Sequence, residues 1–201
     1  MPLPPPTQYP VDSVISAFQQ MHHNYDLSAI SGGNTFTLQL SFAPGVQTTF
    51  DGVSAFTVTE TRTLSKNVVS QGTNAVTEYV TIRPYTELGG INTTNGEVMV
   101  DANQMPLPDL VTVGQSGSFD TYTTYTDSTR TTVYETGTVT WSLEADTSAN
   151  ALACLNYVGT IDSGPDSGPF SESDCCQIDE SGHVLSVHIT ITEGGGTLVF
   201  K

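Results

Sequence analysis

FSESDCCQIDESGHVLSVHI, residues 170–189, indicates how the chain is organised, because an earlier stretch resembles it and both end in the apolar alternation of a β-strand. An earlier stretch, YTELGGINTTNGEVMV at residues 85–100, follows the same order: an aromatic residue, a hydroxyl residue, Glu, small residues, Ile, a polar turn ending in Gly, and an apolar alternation. We interpret the chain as two tandem copies of one β unit, near residues 34–101 and 117–193. The alternative is chance similarity among Thr-rich strands, since the spacing between matched positions is not constant.

Strand patterns fill most of the remaining chain. Period-two alternation and β-branched runs, separated by turns rich in Gly, Pro, Asn and Asp, predict eleven or twelve strands. They cover residues 35–42, 47–50, 54–66, 75–84, 96–101, 110–113, 117–126, 129–145, 151–161, 169–178, 183–193 and 196–200. With a single helical pattern there is little room for parallel crossovers. The sequence therefore predicts an all-β fold, an antiparallel meander that is barrel or sandwich-like and forms one closed or nearly closed unit.

One short amphipathic N-terminal helix is predicted over residues 12–24, where apolar side chains recur with the spacing of one helix face. These side chains are Val11, Val14, Ile15, Phe18 and Met21. Asp12 or Ser13 can serve as the N-cap, and we expect the apolar stripe to close an open end or edge of the sheet. His22 and His23 follow, and we interpret them as a solvated last turn because adjacent histidines on a helix point in different directions.

The Pro-rich start of the chain sets the predicted domain boundary. Residues 1–10 are interpreted as a stiff, extended tether, because Pro-rich runs do not form packed structure. Residues 11–201 are predicted to form a single β domain that contains both repeats. We expect that a targeting signal was removed before Pro2.

The charge balance limits the possible partners. Five basic and 21 acidic residues give a formal net charge of -16, which repels phosphate backbones and anionic lipid headgroups. Nucleic acid and membrane surfaces are therefore disfavoured. No apolar run approaches the roughly 18 residues of a membrane span, so no transmembrane segment is predicted. Thr-, Ser-, Gly- and Asn-rich strands with almost no lysine favour an extracytoplasmic location: periplasm, cell surface or secreted.

The three cysteines predict one disulfide. If the hairpin that joins the predicted strands 151–161 and 169–178 is centred near Pro165, Cys154 lies opposite Cys176, within disulfide range. Cys175 then points to the other face and is the free thiol; a register slip of one residue would pair Cys154 with Cys175 instead. A three-cysteine zinc site is the rival, but vicinal cysteines lack the usual ligand spacing. A disulfide would fit an oxidising compartment.

Catalytic and metal motifs are absent from the sequence, so no catalytic residue, metal or cofactor is predicted. Glu87 and Glu172 occupy matching repeat positions and could form an acid–base pair, although solvated strand residues are the favoured interpretation. Residues 162–174 are rich in oxygen ligands and could hold Ca²⁺, but they lack the Gly and Glu positions of an EF-hand loop.

A family resemblance begins at VGQSGSFDTYTTYTDSTRTTVYETGTVTWSLEAD, residues 113–146, and continues with Ile178, Asp179 and the Gly182 turn. These residues resemble the Thr-rich β repeats of uncharacterised bacterial cell-envelope lipoproteins. The resemblance implies a β fold, an envelope location and a lipobox cysteine upstream of Pro2. It implies no activity and no site residue.

The expected function is that of a non-enzymatic extracytoplasmic binding protein that shelters an apolar small molecule in its sheet interior. Long strands with one apolar face and a helix suited to act as a plug support this hypothesis. The alternative is an adhesion module that contacts a surface partner through exposed tyrosines such as Tyr122, Tyr125 and Tyr134. A hydrolase is the third hypothesis.

Overall fold

The computed structural model describes residues 7–147, 149–164 and 167–201. These residues form one helix and fourteen strands. The helix is α1 (Val11–Gln19), and the strands are β1 (Gln8–Tyr9), β2 (His23–Ser31), β3 (Asn34–Phe50), β4 (Val53–Lys66), β5 (Val69–Ile82), β6 (Tyr85–Asn92), β7 (Val98–Ala102), β8 (Val111–Thr112), β9 (Ser116–Tyr125), β10 (Val133–Ala145), β11 (Asn150–Ile161), β12 (Gly168–Asp179), β13 (Val184–Glu193) and β14 (Gly196–Phe200).

Twelve of the described strands form one antiparallel sheet that follows chain order from β2 to β14 and skips only β8. The two edges of this sheet meet. Ser28 of β2 and Lys201, just after β14, exchange two backbone hydrogen bonds of 3.1 and 3.2 Å. The sheet is therefore a nearly closed barrel, and the predicted all-β antiparallel meander with one short helix is confirmed.

Tight turns hold the meander in register. Gly32 and Gly33 join β2 to β3, and Asp51 and Gly52 join β3 to β4, all four with positive φ. That backbone conformation matches the twist of a two-residue hairpin, and glycine adopts it without steric cost. The predicted turn at Pro44–Gly45 is wrong, because the chain continues through it as β3 with a shift in register between Pro44 and Gln47.

The helix ends earlier than predicted. It stops at Gln19, and His23 already begins β2, so the predicted end at residue 24 is wrong. His23 is half-buried and stacks on Phe18 with ring centroids 4.3 Å apart, which contradicts the solvated last turn. Burial lowers the pKa of His23. Packing of aromatic rings against the sheet overrides helix periodicity here.

The residues before the helix are folded as well. Gln8–Tyr9 pairs with Val111–Thr112 as a two-stranded sheet, and Tyr9 is buried, so the tether does not extend to residue 10 as predicted. Residues 1–6 of the predicted tether lie outside the described residues. Pro10, rather than Asp12 or Ser13, is the N-cap of α1, with no side-chain cap.

Helix α1 covers the interior of the barrel at one end, as its apolar stripe predicted. Val11, Val14, Ile15 and Phe18 are buried in the main core. Polar contacts tie the same helix to the start of β6: the backbone N–H of Tyr85 donates to Asp12 Oδ1 at 3.0 Å. The helix is thus a fixed part of the barrel.

The internal duplication stays a prediction. A meander gives the same neighbour order to any set of consecutive strands, so the sheet order does not separate a duplicated unit from a chance similarity.

The disulfide joins Cys154 to Cys175, not Cys176 as predicted. Strands β11 and β12 pair Cys154 directly with Cys175 and Ala153 with Cys176, one residue away from the register expected for a hairpin centred at Pro165, which lies outside the described residues. Cys176 is the free thiol; it belongs to the main core, and burial raises its pKa to about 12.

Reduction of this disulfide should lower the melting temperature without unfolding the barrel. The bond spans 21 residues, and a loop of that size contributes about 3 kcal/mol in the chain-entropy model. Thermal unfolding with and without reductant measures the shift, and Cys154→Ser should reproduce it. Unchanged melting of both would contradict the bond.

The reactivity of the free thiol gives a second test of the cysteine assignment. Because Cys176 is buried and its pKa is raised to about 12, it should react with a maleimide only after unfolding. Mass spectrometry of protein labelled with and without denaturant tests this. Rapid labelling of one thiol in the native protein would contradict the assignment of Cys176 as buried.

Candidate functional site

Strand alternation directs one set of side chains into the barrel, where they line a cavity of about 340 Å³. Helix α1 contributes Ile15, Phe18 and Gln19 to this lining. Asn74 also lines the cavity and is exposed, so the cavity reaches the surface of the barrel near this residue.

The lining combines two kinds of chemistry. Apolar side chains form one part of it: Ile15, Phe18, Leu40, Phe42, Val76, Met99, Leu155, Phe170, Val187 and Ile189. Seven carboxylates, called the acidic lining below, form the other part: Glu60, Glu78, Glu87, Glu97, Glu135, Glu172 and Asp174. Among the described lining residues Arg62 is the only base, so six negative charges are in excess when all seven carboxylates are ionised.

Arg62 binds three of these carboxylates. Its guanidinium donates to Glu60 and to Glu172, and its Nη2 donates to Asp174 Oδ2 at 3.0 Å. Glu60 and Arg62 both lie on β4, whereas Glu172 and Asp174 lie on β12, so the ion pairs of Arg62 with Glu172 and Asp174 cross the barrel interior. Burial lowers the pKa of Arg62, but the carboxylates, Glu172 first, outweigh it and raise the pKa above its ordinary value.

Two members of the acidic lining keep unpaired oxygens. Neither Glu78 Oε2 nor Asp174 Oδ1 has a hydrogen-bond partner within the described part of the chain. Burial raises the pKa of Glu78, and the charges of Glu60 and Glu87 add to the rise. Burial and the charge of Glu172 raise the pKa of Asp174 in the same way. One guanidinium therefore does not neutralise the charge of the acidic lining.

Glu87 is held between two tyrosines. Tyr85 donates its hydroxyl to Oε1 at 2.9 Å, and Tyr157 donates to Oε2 at 3.4 Å. Gln19 of α1 donates to the Tyr85 hydroxyl at 3.3 Å, which links the helix to this carboxylate. Burial raises the pKa of Glu87 to about 7, although the two hydroxyl donors oppose the rise.

Two more buried carboxylates lie beside Glu87 on neighbouring strands, Asp101 on β7 and Asp120 on β9. One oxygen from each of the three residues lies within 4.8 Å of the other two. Burial and the charge of Glu87 raise the pKa of both aspartates, that of Asp120 to about 8. We call Glu87, Asp101 and Asp120 the three-carboxylate group.

The structure brings together the two glutamates that the sequence singled out. Glu87 and Glu172 line the same cavity, and Glu87 is only 7% exposed, so their interpretation as solvated strand residues is wrong. The two are held by different partners, Glu87 by tyrosines and Glu172 by Arg62.

The other sequence candidates are distributed differently. Tyr122, expected to be exposed, is 4% exposed and packs edge-on against Tyr157 at 6.4 Å. Tyr134 lines the cavity, and Tyr125 is half-buried. Of the oxygen-rich segment 162–174, residues 168–174 belong to β12, and Pro165 and Asp166 lie outside the described residues.

Sequence reasoning missed Arg62, Glu60 and Glu78, although a signal for them exists. Along β4, Glu60 and Arg62 fall at the same alternation as the buried Val58 and the core-packed Leu64. A charged residue on the apolar face of a strand must be paired, titrated or bound to a ligand. The alternation pattern of β4 therefore already indicates an interior charged site.

Comparison with protein families, curated proteins and solved structures found no match to this chain. No helix among the described residues has the length and hydropathy that a bilayer crossing requires.

Removing the interior guanidinium should destabilise the barrel strongly. Arg62→Met leaves Glu60, Glu172 and Asp174 without their cation, and breaking a buried ion pair costs about 3 kcal/mol or more. The pKa of Asp174 is already raised by burial, and losing the guanidinium raises it further. The deficit relative to wild type should therefore shrink as the pH falls from about 8 to about 5, where Asp174 takes up a proton.

Arg130→Met is the matched control. Arg130 pairs with Asp51, which is half exposed at the surface, and such pairs contribute about 0–1 kcal/mol. Chemical denaturation of both variants at both pH values provides the comparison. Equal losses of stability, or a deficit for Arg62→Met that grows on acidification, would contradict the role of Arg62.

Proposed function

We propose that the protein is a non-enzymatic binding protein that shelters a small organic cation, an amine with an apolar or aromatic body, inside the barrel. The acidic lining carries this proposal, because seven carboxylates and one guanidinium surround a cavity of about 340 Å³. The proposal narrows the ligand expected from the sequence, an apolar small molecule, to one that also carries positive charge.

An ammonium group matches the unpaired part of the lining. It donates up to three hydrogen bonds and accepts none, so it can bind several carboxylates at once. Glu78 Oε2 and Asp174 Oδ1 are buried acceptors without a partner in the described part of the chain. A bound cation would remove the cost of leaving such groups buried and unpaired.

The apolar part of the lining suits the body of such a ligand. Phe18, Phe42 and Phe170 offer ring surface within the same cavity as the carboxylates. Burial of apolar ligand surface supplies most of the binding free energy, and polar groups fix the orientation. Fatty acids and other anions fit this cavity poorly, because they would add negative charge to an interior that already has an excess.

We propose an extracytoplasmic location for this protein. The disulfide between Cys154 and Cys175 supports it, since such bonds persist mainly in oxidising compartments. The resemblance of residues 113–146 to cell-envelope lipoproteins points the same way. The adhesion alternative is weaker, because Tyr122 is buried inside the barrel rather than displayed on its surface.

Three probes with nearly the same body test the ligand class: 2-phenylethylammonium, 2-phenylethanol and 3-phenylpropionate. Isothermal titration calorimetry in EDTA should rank the cation first, the neutral alcohol second and the anion last. Equal or tighter binding of the anion would overturn the proposal. Hydrolysis of an added ester of 3-phenylpropionate would instead favour the hydrolase hypothesis.

The same substitution at two positions locates the binding. Glu78→Gln replaces an unpaired carboxyl group inside the cavity and should weaken binding of 2-phenylethylammonium by up to about tenfold, or 1.4 kcal/mol. Glu144→Gln removes one charge from an exposed position and should leave it unchanged. Equal effects of the two variants would show that binding is outside the cavity.

A further inference from the structure

We infer that the three-carboxylate group, Glu87, Asp101 and Asp120, is a binding site for one hard divalent cation such as Ca²⁺, Mg²⁺ or Mn²⁺. Three neighbouring strands, β6, β7 and β9, contribute one ligand each. This inference does not rest on the amine proposal, because the metal alone is the probe in its test.

The spacing of the oxygens permits one ion to touch all three residues. One oxygen from each residue lies within 4.8 Å of the other two. Two oxygens on opposite sides of a single Ca²⁺ are about 4.6–5.2 Å apart, and about 4.0–4.2 Å apart around Mg²⁺. This limit is compatible with one Ca²⁺ coordination shell, whereas Mg²⁺ requires the oxygens to lie within about 4.2 Å of one another.

Unpaired oxygens form a second, independent observation. Within the described residues, neither oxygen of Asp120 has a hydrogen-bond partner, and Asp101 Oδ2 has none. These side chains are only 4% and 7% exposed, so bulk water does not satisfy them. A buried carboxylate with no donor is costly unless it is protonated or binds a cation, and here both aspartates point toward Glu87.

The surroundings of Glu87 resemble the support that metal ligands need. The hydroxyls of Tyr85 and Tyr157 donate to its two oxygens and fix the orientation of the carboxylate, while lone pairs stay open for a metal. The ligand set is entirely carboxylate oxygen, which selects hard cations over Zn²⁺ or Cu²⁺.

The test begins with EDTA-treated, dialysed protein that is titrated separately with CaCl₂, MgCl₂ and MnCl₂ by isothermal titration calorimetry, with melting temperature as a second readout. We expect saturable 1:1 binding of at least one of these ions and a rise in melting temperature. Asp120→Asn and Asp101→Asn should each weaken binding at least tenfold. Absence of binding up to about 10 mM, beyond the range of extracellular Ca²⁺ modules, would overturn the inference.

A surface variant separates a site from general charge attraction. Glu144→Gln changes the net charge equally at an exposed position. It should bind within a few-fold of wild type, and a tenfold loss would overturn the assignment.

The melting temperature of Asp120→Asn without metal shows whether this variant is folded. Asp120→Asn replaces an unpaired buried carboxylate, so without metal it should melt at or above the wild-type temperature while losing the metal-induced rise. A metal-induced rise in Asp120→Asn equal to that of wild type would overturn the role of Asp120.

Discussion

Arg62 binds three carboxylates that reach it from β4 and β12, and it is the only base among the described residues that line the cavity. These contacts connect two strands that lie far apart in the sheet order. They also leave most of the acidic lining without a counter-charge. A closed barrel can keep such an interior only when protons or bound cations neutralise part of it, because a buried unpaired charge is expensive.

The N-terminal helix α1 packs on the barrel core and also contacts residues next to the charged interior. Its apolar stripe fills one end of the core, and its polar side chains reach the first residues of β6. Gln19 donates to Tyr85, and Tyr85 donates to Glu87. Helix α1 thus also orients one of the buried carboxylates through Tyr85, so we expect helix packing and cation binding to be coupled.

The outer and inner faces of the barrel carry different kinds of side chain. The buried disulfide between β11 and β12 lies at the alternation opposite to the core residues Ala153, Leu155 and Cys176. Hydroxyl side chains pair across strands on the exposed face, for example Thr63 with Thr73. The inner face holds both the apolar core and the charged residues. Part of the net negative charge of the chain therefore lies inside the barrel, and this part does not bear on contact with nucleic acid or membrane surfaces.

Much of the fold is predictable because period-two alternation and turn residues are local signals. The positions of β4, β9, β11 and β13 follow from them, whereas those of β2 and β6 do not. His23, which begins β2, lies within the predicted helix, and no strand is predicted between residues 84 and 96, where β6 lies. The site is harder to predict. Glu60, Glu87 and Asp120 are distant in sequence, and only closure of the sheet places them in one interior. The predicted disulfide is wrong by one residue, since register depends on a turn that composition does not define.

A crystal of the protein soaked with 2-phenylethylammonium would show directly whether an organic cation binds in the cavity. We expect one ligand inside the barrel, with its nitrogen within hydrogen-bond distance of at least one carboxylate of the acidic lining and its ring against the apolar part of the cavity. A ligand found only on the outer surface, or interior carboxylates that turn outward into bulk solvent, would contradict it.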